Sequence, residues 1–276
     1  MVIDINHDRG ASKVARVIWP PCLLALAALL VANAAIAAPL ACVPAPPDLG
    51  AWWSGEDNAF DRLGNYPGSL TNGVGYGPGF VGRAFQFDGI DDSMRVGLLG
   101  GIGLTETGPF TIAAWVNTSA ADLPALQVIA GNYMGEGGGI GNFSLYLRID
   151  SGNLLFAINQ RQLADTYVNT AIANGWHLVV ATYDGSVMAL YVDGELRGST
   201  PRTFSGSTPN TRGWNIGNFS DETNSAHGFN SSFNGLIDEV ALFSRMLSAG
   251  EISSIFNAGG DGICTPTIFA DGFESD

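Results

Sequence analysis

"YDGSVMALYVDGELRGS" (residues 183–199) contains the dipeptide Asp-Gly twice, at Asp184-Gly185 and Asp193-Gly194, on either side of the apolar run Val187 to Val192. That run is too short for a buried helix. Asp-Gly between alternating apolar segments is the strongest short-range signal of a tight hairpin, because its central positions need φ > 0. The stretch therefore predicts a chain that turns back on itself twice.

The same grammar recurs outward in both directions. "RAFQFDGIDDSMRVG" (83–97) places Phe85 and Phe87 on one face and turns at Asp88-Gly89 into Met94 to Val96. "FTIAAWVNTS" (110–119) alternates Phe110, Ile112, Ala114 and Val116 against Thr111, Ala113 and Trp115. "NFSLYLRIDSGNLLFAIN" (142–159) reads as a hairpin turning at Ser151-Gly152-Asn153, and "GLIDEVALFSRML" (235–247) supplies a late strand. Short strands at close intervals, with no helices between them, predict an all-β sandwich. The 37 glycines fit so turn-rich a chain. One helix is predicted over Ala249–Asn257. Ser248 and Glu251 form a capping box, Ile252, Ile255 and Phe256 form a narrow apolar stripe, and Gly259 can close the C-terminus.

The N-terminus has a different composition. Arg9, Lys13 and Arg16 precede an apolar stretch from Leu23 to Ala38, and Ala35-Ile36-Ala37 offers small residues at both recognition positions of a signal-peptidase site. The stretch is shorter than the ~20 residues a bilayer crossing needs. Residues 1–37 therefore read as an export signal, and no later segment could span a membrane. Cys42 would suit a lipoprotein site, but Pro39 stands where that motif wants Leu. The mature chain is expected in the periplasm, on the cell surface or outside the cell. It begins with a Pro-rich lead-in (38–48), continues as one domain over 49–264 and ends in a short tail (265–276).

After residue 37 the chain has nine arginines, no lysine and 24 acidic residues, a net charge near −15. That balance argues against nucleic acid and anionic membrane as partners, which need basic patches, and is compatible with Ca²⁺, which takes oxygen ligands. Cys22 leaves with the signal, and Cys42 and Cys264 remain. Two lone cysteines in an oxidising compartment are expected to pair.

Five stretches in order, "LGAWWSGEDNAFDRLGNYPGSL", "VGRAFQFDGIDD", "FTIAAWV", "WHLVVATYDGSVMALYVDGELRGS" and "FNGLIDEVALFSRMLSAGEISSIFNAG", resemble LamG-like jelly-roll domains of the concanavalin A-like lectin/glucanase superfamily. The resemblance runs from about Leu49 to Gly259. It implies a two-sheet antiparallel jelly-roll β-sandwich whose first and last strands are neighbours, which would bring Cys42 and Cys264 together. It also implies that 183–199 is part of a three-strand meander. Many such domains hold a structural Ca²⁺ where the N-terminal loop meets the last strand, and Asp61, Asp92 and Asp238 are the positions that match. Turn and cap duty is the alternative for these carboxylates, Asp92 in particular. Ser93 and "RLGNYPGSL" depart from the family pattern, and the latter weakens any ligand assignment in that loop.

Laminarinase-like relatives carry Glu-x-Asp-x-x-Glu on one strand, and retaining hydrolysis needs two carboxylates about 5–5.5 Å apart. Here the only Glu-x-Asp is Glu274-Ser275-Asp276, and Asp238 and Glu239 are adjacent, so a regular strand would point them to opposite faces. His177 and His227 lie near no Ser or Cys motif, and "GEGGGIGNF" lacks the βαβ context of a dinucleotide loop. Sugar sites combine an aromatic platform with amide and carboxylate groups. Tyr133, Tyr167 and Trp214, with the polar loop Ser220 to Ser232, are the candidate ligand residues. Trp115 and Trp176 are expected in the core, and one of Trp52 and Trp53 is expected to be exposed. The sequence therefore predicts a monomeric, exported, non-catalytic module that binds a glycan or a cell-surface protein. The alternatives are a structural or adhesion protein of the envelope and, further off, a carbohydrate-active hydrolase or lyase.

Overall fold

The structure is a computed structural model. It describes residues 42–102, 104, 107–118, 126–132, 143–160, 166–203, 213–218 and 232–264. The chain divides into two units, Met1–Pro39 and Leu40–Asp276, and every described residue belongs to the second. The export signal, the tail, Tyr133 and His227 lie outside the described residues.

Among the described residues fifteen strands follow in order: β1 (Leu49–Trp53), β2 (Ser69–Thr71), β3 (Gly75–Pro78), β4 (Arg83–Asp88), β5 (Ser93–Gly97), β6 (Phe110–Thr118), β7 (Leu126–Asn132), β8 (Phe143–Asp150), β9 (Asn153–Gln160), β10 (Thr166–Ala171), β11 (Gly175–Tyr183), β12 (Val187–Val192), β13 (Glu195–Pro201), β14 (Trp214–Ile216) and β15 (Asn234–Phe243). The single α-helix among the described residues is α1, Ala249–Asn257. The strands form two antiparallel sheets. One has the order β13-β12-β11-β6-β15-β4-β3, with β1 also on β15, and the other has the order β10-β9-β8-β7-β14-β5-β2.

The meander read from residues 183–199 is β11-β12-β13, but its two turns differ. Asp193 and Gly194 both take positive φ (55° and 80°), the geometry of a two-residue type I′ turn. At the other turn only Gly185 does (97°), and Asp184 Oδ1 instead accepts the N–H groups of Ser186 and Val187 at 2.7 Å each. That turn has three residues, held by a side chain rather than by a primed backbone.

Alternation on β6 shows how the layers arise. Phe110, Ile112, Ala114 and Val116 face the core between the sheets, with Phe85, Phe87, Phe156, Trp53 and Trp214. Ala113 and Trp115 face the other way, into a second apolar layer with Trp52, Leu178, Val180, Ala241 and Phe243. Helix α1 covers that layer with Ile252 and Ile255, and Phe80 stacks on Trp115 with ring centroids 3.5 Å apart. Burying an aliphatic or aromatic side chain of this size contributes about 1.5–3 kcal/mol, so the outer layer is a substantial part of the fold. It explains why Trp52 (3 % exposed) does not reach solvent, while Trp53 (0 %) is buried in the core between the sheets. Their indole N–H groups donate to Glu239 Oε2 (2.9 Å) and to the Tyr66 carbonyl (2.8 Å). Trp115 is buried in this layer, and Trp176 packs at its margin.

The helix has the bounds and the cap its sequence predicts. Ser248 Oγ accepts the Glu251 N–H, and Glu251 Oε2 accepts the Ser248 N–H. Arg245 donates to both Glu251 oxygens. The chain ends meet beside this layer. Val43 pairs with Ile263, the Cys264 N–H donates to the Val43 carbonyl at 2.7 Å, and a disulfide joins Cys42 to Cys264 with Cα atoms 5.0 Å apart.

Candidate ligand-binding site

The sheet containing β8, β9 and β10 has a second face, turned away from the core. Leu147, Ile149, Leu154, Phe156 and Val168 point inward, so the residues that alternate with them line the opposite side. There Tyr146, Leu155 and Ala157 form a small apolar cluster of their own. Around it lies a cleft of about 320 Å³ lined by Tyr146, Arg148, Asp150, Ser151, Asn153, Leu155, Ala157 and Asn169. Register assembles it. Asn169 pairs with Leu155 and Leu155 with Arg148, while Tyr167 pairs with Ala157 and Ala157 with Tyr146.

Polar and apolar groups alternate in this cleft. The Arg148 guanidinium lies over the Tyr146 ring at 5.0 Å and donates through Nη2 to Asp150 Oδ2 at 3.1 Å. Its Nε–H is buried and makes no hydrogen bond among the described residues. Ser151 Oγ donates to Asp150 Oδ1 at 3.1 Å. The cleft thus offers an apolar floor beside donors and acceptors, the chemistry that suits a molecule with C–H faces and hydroxyl rims.

The candidate ligand residues fare differently. Trp214 is fully buried in the core between the sheets, so it has no surface to offer a ligand. As the strand β14 is hemmed between β7 and β5, its alternation could not reveal this. Tyr167 stands on β10 in register with the cleft residue Ala157. Within the polar loop only Ser232 is described, buried and donating to the Ile90 carbonyl.

The three candidate metal ligands do not come together. Asp61 accepts four backbone N–H groups, from Trp52, Leu63, Asn65 and Tyr66, at 2.9–3.1 Å. In this structure its carboxylate organises the loop after β1. Asp92 sits with Asp88 and Asp91, the one set of three acidic groups among the described residues close enough to share an ion. Its Oδ2 accepts the Asp88 N–H at 3.0 Å, and burial pushes its carboxyl above the ordinary range.

Asp238 is different. It occupies β15 where pairing passes from β4 (up to Ile237) to β1 (from Val240), and the register with β6 slips between Asp238 and Ala241. At this bulge Glu239 takes φ 52°. Regular alternation is broken, and both neighbours are buried, Asp238 at 0 % and Glu239 at 6 % exposed. Asp238 Oδ2 accepts the Val81 N–H at 2.9 Å, while Oδ1 makes no hydrogen bond among the described residues. Burial raises the Asp238 carboxyl to about 7, and burial with the Asp238 charge raises Glu239 to about 8. Glu56 adds to both shifts. An orphaned buried carboxylate oxygen fits a bound cation, and two of the three candidates carry one: Asp238 Oδ1, and Asp92 Oδ1 within the set it forms with Asp88 and Asp91. His177, by contrast, serves the β12–β13 turn, with Nδ1 2.7 Å from Asp193 Oδ2.

The chain belongs to the concanavalin A-like lectin/glucanases superfamily, whose laminin G-type model matches residues 88–253. Among solved structures it is similar to domain 4 of AbnA, a GH43 extracellular arabinanase from Geobacillus stearothermophilus, in complex with arabinotriose. That match has 18 % identity and a TM-score of 0.57, over 75 % of this chain and 97 % of that one. It is also similar to the binding domain of Paraclostridial Mosquitocidal Protein 1 (17 % identity, TM-score 0.60, 76 % and 52 % covered). A third match is the botulinum neurotoxin serotype D ligand binding domain in complex with N-acetylneuraminic acid (16 % identity, TM-score 0.55, 76 % and 50 % covered). The chain spans about half the length of these toxin domains. At such identities the likeness is one of fold. No curated protein matches the sequence.

Proposed function

We propose that this protein is an exported, monomeric, non-catalytic module that binds a glycan in the cleft between β8, β9 and β10. The observation that carries the reading is the combination of the apolar floor Tyr146, Leu155 and Ala157 with Arg148, Asp150, Asn153 and Asn169 around it. The AbnA domain and the serotype D domain, each solved with a sugar, support it by analogy of fold. The disulfide, stable in an oxidising compartment, supports export, and no helix among the described residues is long and apolar enough to cross a membrane.

A structural Ca²⁺ belongs to the same proposal. Asp238, or Asp92 with Asp88 and Asp91, would hold it, and the ion would supply charge compensation for a buried carboxylate. A glycan array probed with residues 38–276, with and without EDTA, tests the function. Reproducible binding to a saccharide class supports it. Binding to none, alongside capture of a cell-surface protein, would favour the adhesion reading instead.

A further inference from the structure

Resting on that assignment of the cleft, we infer that its ligand is a neutral saccharide, recognised through adjacent hydroxyls by the Arg148–Asp150 pair. Among the described residues Arg148 and Asp150 are the only charged ones lining the cleft, and their 3.1 Å ion pair gives that described lining no net charge. An acidic sugar entering here gains no uncompensated cation, meets the Asp150 carboxylate, and approaches a chain with 24 acidic residues against nine arginines after residue 37. A hydroxyl meets no such opposition, since it donates and accepts at once.

The geometry of the pair favours two neighbouring hydroxyls. The Arg148 side chain is 18 % exposed and spends Nη2 on Asp150, and a guanidinium has further N–H groups, so a ligand oxygen can accept from the fork beside the ion pair. Among the described residues Asp150 Oδ2 accepts from Arg148 alone, and a carboxylate oxygen has a second lone pair for a ligand O–H. One sugar oxygen accepts from Arg148 while its neighbour donates to Asp150, about one hydrogen-bond length apart, as the two protein groups are. The adjoining Leu155 and Ala157 give the C–H face of the ring an apolar surface. Asn153 and Asn169 add amides at either side.

Each group has a distinct expected effect. Arg148→Lys keeps the charge but removes the planar N–H fork, so it loses binding as Arg148→Ala does. Asp150→Asn keeps the shape and removes the compensating charge, so it weakens neutral glycans and admits uronates.

The test is calorimetric titration of wild type, R148A, R148K and D150N with paired neutral and uronate oligosaccharides, galactan against galacturonan and glucan against glucuronan. Melting curves on the same samples verify folding. The inference predicts that wild type binds neutral members at least tenfold tighter than acidic ones, that both Arg148 variants lose at least tenfold, and that D150N narrows or inverts the preference. Tighter uronate binding by wild type, or neutral binding untouched in R148A and R148K, would overturn the inference while leaving a glycan-binding module in place. Binding of neither class by any variant would overturn the functional reading itself.

Discussion

Asp238 and Glu239 are consecutive residues of β15, yet both carboxyl groups are buried, because the bulge that ends pairing with β4 and begins pairing with β1 sets Glu239 at φ 52°. Burial disfavours the charged form of both carboxyl groups, so each is held protonated to a higher pH than in water or compensated by a cation.

A pH dependence follows. The carboxyls of Asp238 and Glu239 are raised from 3.8 and 4.5 to about 7 and about 8, chiefly by burial. A raised carboxyl binds its proton more tightly when folded, so its stabilisation is present below the unfolded value and lost as pH rises through the folded one. Thermal melts in EDTA should show stability falling between pH ~4 and ~8. Glu239→Gln keeps an acceptor for Trp52 Nε1 and should flatten that fall. A profile equally steep in the variant would contradict the assignment.

Calcium should act at Asp238 or at Asp92. Saturating Ca²⁺ stabilises a native-state site by mass action, about 2.7 kcal/mol at one hundred times Kd. The melting temperature at pH 7.5 should rise on replacing EDTA with Ca²⁺, and Asp238→Asn or Asp92→Asn, whichever carboxylate holds the ion, should abolish the rise. Asp61→Asn should leave the Ca²⁺ response intact while lowering stability, since it weakens four loop hydrogen bonds.

The Cys42–Cys264 bond closes a sequence separation of 222 residues. Chain-entropy reasoning gives such a loop about 5.4 kcal/mol of stabilisation. Both cysteines lie at the margin of the sandwich, so reduced protein should keep its far-ultraviolet spectrum and melt at lower temperature. Two free thiols on natively purified protein, detected by alkylation and mass spectrometry, would refute the bond.

The α1 cap should respond to Ser248→Ala by about 1 kcal/mol in chemical denaturation. Glu251 also accepts from Arg245, and that hydrogen bond lowers its carboxyl to about 2 from 4.5. Its contribution is therefore present above the unfolded value and lost as pH falls through about 2. Glu251→Gln should cost stability at pH 7 and nothing at pH ~1.5.

Much of this architecture was legible because local chemistry and tertiary demand agree. Phe110 to Val116 alternate in the sequence as they do in the two layers, and Ser248 and Glu251 cap the helix they flag. What stayed hidden depended on contacts distant in sequence. Trp52 reads as a candidate for exposure until the outer apolar layer and the Arg62 guanidinium cover it. The convergence of four backbone N–H groups on Asp61 appears only in the folded loop. No glycine marks the bulge at Glu239, so strand alternation gave no warning. The cleft had one visible signal, Tyr146, Arg148 and Asp150 alternating with Leu147 and Ile149 in β8, but its other wall appears only once register places Leu155 and Asn169 beside them.

Hydrogen–deuterium exchange with a saccharide selected from the array tests the central claim most directly. The account predicts slowed exchange in the segments carrying Tyr146 to Asp150, Asn153 to Ala157 and Asn169, and no such protection in Arg148→Ala. Protection concentrated elsewhere, with the cleft segments unchanged at saturating sugar, would contradict it.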